Sequence, residues 1–449
     1  MGCHSRVSSA RRAAGWNRRR LPDITIQRRH LRPLKASVLR RLPACGRMDA
    51  TWYVRAFPVR TEDNRWRRPV SSPDPQVRAA RNLGDPSPES TPKKNRSGNR
   101  GPVVAVTGAA TGVGALLTAH LAAADEVKRV VAIDERRGDV PEATWHVLDV
   151  RDPAIAEKLR GADVVVHLAL DLDLETDPAA RTAYNVRGTQ TVLTAAAAVG
   201  VRRVVLCTSA MVYGALPDND LPLAEDAELR ATAEATGVGD LLEIERLGRR
   251  APRAHPGLDV TVVRPTVLVG GTDTALTRYF ESPRLLVVAG SRPAWQFCHV
   301  DDLVTALEYA ALGRIDGEFA VGCDGWLEQE EVEELSGVRR MELPSAVALG
   351  AAARLHRIGL TPSPAGDLAY TMHPWVVSVS RLHDVGWRPR WTNEEVLAAL
   401  LEEVEGRHTV AGRRLGRKDA TAAGAAGATV ALLGTAALVR RARKARRRF

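Results

Sequence analysis

A chain of 449 residues with 45% hydrophobic content is long enough for one large folded unit or two, and it does not need disulfides to hold its core. Its formal charge of +11 is unevenly spread: residues 1–100 hold 24 Lys and Arg against 7 Asp and Glu, residues 412–449 hold 11 against 1, and residues 101–411 are left with a net −16. An acidic middle excludes a basic, nucleic-acid-reading core, so no nucleic-acid partner is expected. The five cysteines (Cys3, Cys45, Cys207, Cys298, Cys323) lack the paired spacing of metal or redox motifs; packed or idle thiols in a reducing cytoplasm, with no metal site, are expected.

Residues 1–100 are rich in Arg, Pro and Ser without sustained apolar periodicity, and they read as a disordered basic extension. They contain no apolar core of a secretory signal, although an Arg- and Ser-rich start also suits a transit peptide. A translation start further along, for example at Met48, is the plainer alternative.

From Pro102 short β-branched runs alternate with Ala- and Leu-rich helical stretches. They run VVAVTG, a helix to Ala124, VKRVVAID, TWHVLDV, a helix from Pro153, DVVVHLAL, a helix through TVLTAAAAVG, RRVVLCTSA and VTVVRPTVLVG. Strands separated by helices of this length specify a parallel sheet covered on both faces, a doubly wound Rossmann α/β fold over residues 101–270. The alternation weakens after Gly270. Residues 271–411 read as a smaller C-terminal α/β substrate lobe, with helices at Val300–Ala311 and Asn393–Glu405 and with the sheet's last elements. In the final segment, 412–449, residues 420–439 are uncharged and dominated by Ala and Gly, and RRARKARRRF follows. Twenty residues at about 1.5 Å each just span a hydrocarbon core. A membrane anchor, an Ala-rich tail helix and a tail whose basic end touches anionic lipid all fit residues 420–449.

The strongest local motif is Thr107-Gly108-Ala109-Ala110-Thr111-Gly112-Val113-Gly114, directly after the first strand and opening a helix. Glycines let the turn be tight and the backbone approach a pyrophosphate, while the helix N-terminus offers free N–H groups. Asp134 ends the next strand, where a carboxylate accepts hydrogen bonds from an adenosine ribose. It favours NAD over NADP by repelling a 2′-phosphate, although Arg136 and Arg137 follow at once and suit such a phosphate.

With Asp149-Val150, His167-Leu168-Ala169, Asn185-Val186-x-Gly188-Thr189, Thr208-Ser209-x-x-Val212-Tyr213-Gly214, Arg264-Pro265-Thr266, Phe297-x-His299-Val300-Asp301-Asp302 and Gly386-Trp387-Arg388-Pro389, the chain resembles extended short-chain dehydrogenases/reductases. More closely it resembles their NAD-dependent epimerase/dehydratase branch, the UDP-glucose 4-epimerase-like proteins, over residues 102 to about 405. One departure is the glycine spacing, TGxxxGxG where extended members usually carry TGxxGxxG. The resemblance implies that Gly108, Gly112, Val113 and Gly114 cradle the pyrophosphate and that Asp134 holds the ribose. Asp149 and Val150 would meet the adenine, His167, Leu168 and Ala169 the middle of the cofactor, and Asn185, Arg264 and Pro265 its surroundings. His167 is also readable as a strand-end residue satisfied by backbone, and Asn185 as part of a buried network behind the site or as a simple helix-flanking polar residue. A small-molecule substrate, with a homodimer as a further option, is the partner this implies.

Removing a hydride from a carbinol also requires removing the hydroxyl proton. The family is expected to use a tyrosine for this, tuned by a lysine four residues later, with a Ser or Thr from the preceding strand end orienting the substrate. Ser209 is present. The tyrosine and lysine positions fall on Gly237 and Leu241; there is no tyrosine between Tyr213 and Tyr279 and no lysine between Lys158 and Lys418. Tyr213, Asp240 and Glu243 are the remaining acid/base candidates near that position. Asp240 with Glu243 also reads as a capping pair, starting the helix after the tyrosine position. Sugar-nucleotide epimerases commonly carry Arg-Asp-Phe where this chain has Trp295-Gln296-Phe297, which leaves Arg278, Arg284 or Arg292 to meet a substrate pyrophosphate. Asp301 and Asp302 read as helix caps, and Trp375, Trp387 and Trp391 as packing. Two functions follow: an atypical NAD(P)-dependent dehydrogenase or epimerase acting on a sugar nucleotide or related hydroxyl or carbonyl substrate, or a non-catalytic NAD(P)-binding sensor or scaffold tethered to a membrane.

Overall fold

The structure is a computed structural model and describes residues 101–234, 236–357, 365–405, 407, 409–410 and 413–414. The basic extension and residues 420–439 lie outside the described residues. Seven parallel strands build one sheet: β1 Val103–Thr107, β2 Arg129–Asp134, β3 Thr144–Val147, β4 Val164–His167, β5 Arg203–Cys207, β6 Asp259–Pro265 and β7 Glu318–Val321. Their order across the sheet is β7-β6-β5-β4-β1-β2-β3, so the chain reverses its direction of winding between β1 and β4. This is the doubly wound Rossmann α/β fold expected, and ligands of such sheets lie beyond the strand ends at that reversal.

Strand periodicity explains why both faces are covered. In β1, Val103 and Ala105 enter the core on one face, and Val104 and Val106 enter the core on the other; Val131 and Ile133 alternate in the same way with Val130 and Ala132 in β2. Helices α1 (Gly112–Ala123), α2 (Gly188–Ala198), α3 (Gly237–Ala254) and α4 (Val300–Ala311) supply the cover. Leu117, Leu121, Leu303 and Leu307 of α1 and α4 pack one face, and Val192, Leu193, Leu241 and Ile244 of α2 and α3 the other.

One expected element differs. The helix from Pro153 is a single turn, Ile155–Lys158, because Gly161 at φ 75° ends the segment within a few residues. The sheet's last strand, β7, is reached only after residues 266–317, so the C-terminal segment is interleaved with the sheet through it. The late helix forms over Asn393–Val404, with Thr392 and Glu395 making a reciprocal capping box. Among the described residues, no helix is long and apolar enough to cross a membrane. Cys207, Cys298 and Cys323 are buried free thiols whose burial raises their pKa, which makes them poor nucleophiles.

Candidate functional site

Three backbone constraints build the turn after β1. Gly108 has φ 68°, and a Cβ there would come within 2.7 Å of the Leu168 and Ala169 backbone, so the chain leaving β4 packs directly on the turn. A Cβ on Gly114 would lie 1.8 Å from the Gly108 carbonyl oxygen, so the first turn of α1 also rests on the loop. Gly112 has φ 51° with open space around it. Thr111 makes no side-chain cap, leaving the first N–H groups of α1 open to an anion. The Asp134 carboxylate is set against this turn, accepting from the Ala110 N–H at 3.0 Å and the Arg136 N–H at 3.2 Å. A close-approach glycine turn, an uncapped helix start and an adjacent carboxylate fit the phosphate and ribose of a dinucleotide.

Asp149 is bound by its neighbour: Arg151 donates its backbone N–H and its guanidinium, holding the carboxyl below its ordinary range. Val150 is buried beneath Gly188, where a Cβ would lie 2.9 Å from its side chain. His167 is satisfied by side chains, not by backbone as expected. Its Nδ1 lies 2.7 Å from the Thr107 hydroxyl and its Nε2 3.0 Å from that of Thr189, which itself donates to the Asn185 carbonyl. That chain assigns the proton to Nε2, and complete burial pushes the imidazole down to about 4. Asn185 forms the buried network: its Oδ1 accepts from the Asp171 N–H at 2.7 Å, and its Nδ2 donates to the Asp171 carbonyl at 2.8 Å and to Asp240 at 3.3 Å.

Ser209 follows β5, half-buried. Its hydroxyl accepts from the Met211 N–H at 3.2 Å and reaches the Pro265 carbonyl at 3.4 Å. Tyr213 is otherwise occupied: it is buried, donates to the Glu225 carbonyl at 2.6 Å and accepts from Arg264, and burial pushes its hydroxyl up to about 12. Arg264 turns into the core instead of toward a cofactor, pairing with Glu245 through two hydrogen bonds and with Glu318 at 2.5 Å. Only its backbone and Pro265 remain near the strand end.

The start of α3 also differs from the expected capping pair. Thr236 is the cap, accepting from the Gly239 N–H at 3.0 Å, and Gly237 is the first helical residue. Asp240 lies inside the helix, 3% exposed, and receives Arg181 Nε at 2.9 Å, the Thr182 hydroxyl at 2.6 Å and Asn185. Three partners leave its carboxylate poorly placed for proton transfer. Leu241 is buried in the core, whereas Gly237 has only Leu172, at 3.9 Å, near its missing side chain. Glu243 pairs with Arg246 on the surface.

On the C-terminal side, Trp295 is buried among Tyr279, Phe280 and Phe297, and Gln296 is held by the backbones of Val377 and Cys323. Arg278 is engaged by Asp273 at 2.7 Å and Glu175. Asp302 is not a cap: His299 caps α4, and Asp302 accepts from the Arg390 and Trp391 N–H groups. Trp375 and Trp387 are packed as expected, while Trp391 stacks on His299 at 4.0 Å.

Sequence reasoning missed two residues near the strand ends, Arg181 and Asp367. Burial pushes Asp367 up to about 6, with the charge of Arg181 opposing the rise. Neither lies in a motif, and only the fold brings Asp367 within range of the Arg181 charge.

A family model described as NAD dependent epimerase/dehydratase family matches residues 104–321. An uncharacterized protein of Mycobacterium tuberculosis, Rv0501, is 31% identical over 308 residues, covering 65% of this chain and 81% of the relative. The chain belongs to the NAD dependent epimerase/dehydratase family. The L-arabinose 1-dehydrogenase (NAD(P)(+)) of Haloferax volcanii is 36% identical over 140 residues, 30% of this chain and 52% of that protein. The structure of MoeE5 in complex with UDP-glucuronic acid and NAD superposes with a TM-score of 0.52 at 25% identity, covering 67% of this chain and 98% of that one. Membership in the family agrees with the resemblance drawn from the motifs.

Proposed function

We propose that this family member is an NAD-dependent oxidoreductase or isomerase that acts at a hydroxyl or carbonyl carbon of a sugar nucleotide or related small molecule, without a Tyr-x-x-x-Lys pair. The carrying observation is the glycine turn with the Asp134 carboxylate hydrogen-bonded against it. In this reading Gly108, Gly112, Val113 and Gly114 present backbone N–H groups to the pyrophosphate, and Asp134 accepts from the adenosine ribose hydroxyls. Leu168 and Ala169 lie against the same turn. When bound, NAD supplies a hydride acceptor and donor. Ser209, lightly held and at the end of β5, orients the substrate hydroxyl. Support for the substrate class comes from MoeE5, a structure with UDP-glucuronic acid and NAD, and from the free-sugar dehydrogenase of Haloferax volcanii.

Calorimetric titration with NAD and NADP tests the cofactor, and absorbance at 340 nm together with chromatography of the sugar products, with UDP-glucose, UDP-glucuronic acid and L-arabinose, tests turnover, because an isomerase leaves no net NADH. Binding of NAD with turnover that falls in Ser209→Ala is expected; failure to bind either cofactor sinks the reading. Tight binding without any turnover supports the sensor or scaffold reading, which the engagement of Tyr213 and Asp240 by structural partners favours.

A further inference from the structure

The sheet order separates the two ends of the crevice. Asp134 marks the adenosine side at β2, so the nicotinamide side lies across β1, beyond the ends of β4 and β5. The segment Ala365–Thr371 is packed there. Tyr370 donates its hydroxyl to the Met211 carbonyl at 2.8 Å, and Met211 in turn donates its N–H to Ser209. Asp367 lies three residues before Tyr370, and a Cβ on Gly366 would lie 3.9 Å from Glu234 Oε2. The charge of Arg181 reaches Asp367 from a helix, Pro178–Thr182, that is tied through Asp240 and Asn185 to the chain leaving β4. Asp240 is consumed by Arg181, Thr182 and Asn185. Asp367 is half-buried, and in this 3-10 helix residues three apart lie on one side, so it shares the side of Tyr370.

We propose that Asp367 is the proton-transfer group of this crevice, standing at its nicotinamide end with Arg181 as its counter-charge. The inference rests on the NAD-dependent reading above. In the oxidising direction the substrate O–H proton passes to the Asp367 carboxylate. The neighbouring C–H bond breaks, its electron pair leaves as hydride to the nicotinamide ring, and a C=O bond forms; the reverse reaction returns both. A carboxyl pushed up to about 6 exchanges protons readily near neutral pH. The other charged or titratable groups facing it are Glu234, His356 and Tyr370.

The test needs no known substrate, because oxidised nicotinamide carries a positive charge and reduced nicotinamide does not. Dissociation constants of NAD and NADH are measured at pH 5.5 and 7.5 by calorimetry. An ionised carboxylate at that end favours NAD, so the ratio of the NADH constant to the NAD constant rises about threefold between these pH values: the full effect is roughly tenfold, the scale of a unit charge about 10 Å away at an effective dielectric constant of about 20, and the carboxyl is already partly ionised at pH 5.5. Asp367→Asn flattens the ratio, Asp367→Glu keeps it pH-dependent, and Glu234→Gln and His356→Gln retain it. A pH-independent ratio in the wild type, or a slope that survives Asp367→Asn, overturns the proposal while leaving the cofactor reading intact. Failure of the wild type to bind either cofactor overturns the cofactor reading itself.

Discussion

Arg264 and Glu245 meet through two hydrogen bonds, Nε to Oε1 at 2.9 Å and Nη2 to Oε2 at 2.8 Å, and neither side chain has any exposure to solvent. Thr208 donates to the same Glu245 oxygen at 2.8 Å, so the pair ties β5, β6 and α3 together behind Ser209. Removing Glu245 leaves the buried Arg264 charge with only the partly exposed Glu318 against it. Glu245→Ala is expected to cost about 3–5 kcal/mol, read as a lower midpoint in urea unfolding. Replacing both partners with apolar residues, Glu245→Leu with Arg264→Met, recovers much of that loss; a double variant as unstable as Glu245→Ala would show that the pair is not the cause.

The glycine turn gives a graded prediction. Gly114→Ala drives a Cβ into the Gly108 carbonyl, where backbone has no room to yield, so NAD binding is lost and the melting temperature drops. Gly112→Ala meets no neighbour and bears only the strain of a left-handed backbone, about 1 kcal/mol. It should therefore fold and bind NAD more weakly, and calorimetry on the two variants side by side checks the ranking.

Much of this turn was legible because its constraint is local: a backbone that must approach another backbone admits only glycine, and the motif lies within eight residues. The alternation of buried valines in β1 and β2 was legible for the same reason, since period two needs no partner to be seen. Arg264 was misread because its partner Glu245 lies 19 residues earlier on a different element, so a motif suggesting cofactor contact hides a core ion pair. Asp302 was read as a cap, yet its partners Arg390 and Trp391 lie more than 80 residues away. Capping of α3 moved from Asp240 to Thr236 because Arg181 and Asn185 claim the Asp240 carboxylate. Asp367 belongs to no pattern at all; only folding brings it within range of the Arg181 charge.

Cofactor choice should turn on Asp134. Its carboxylate faces the turn where the adenosine ribose would lie, and Arg136 and Arg137 stand exposed just beyond it. Wild-type protein is expected to bind NAD more tightly than NADP. Asp134→Gly removes the repulsion while leaving both arginines, and should move the ratio of the two dissociation constants toward NADP by about tenfold, the scale of a lost unit-charge repulsion partly screened by solvent. An unchanged ratio would place the discriminating group elsewhere.

His167 makes the fold sensitive to acid. Its imidazole is buried, bonded to Thr107 and Thr189, and pushed down to about 4, whereas in the unfolded chain it titrates near 6.5. Between those values the unfolded state binds the proton and the native state does not. The native state therefore keeps its full stability above about pH 6.5 and loses it as the pH falls toward 4, by up to about 3 kcal/mol from this group. His167→Gln can keep one hydrogen bond to each threonine without a titrating group. The variant should start less stable at pH 7.5 and lose less stability than wild type between pH 6.5 and 4.5; parallel urea-unfolding curves at both pH values for the two proteins would assign the acid sensitivity to other groups.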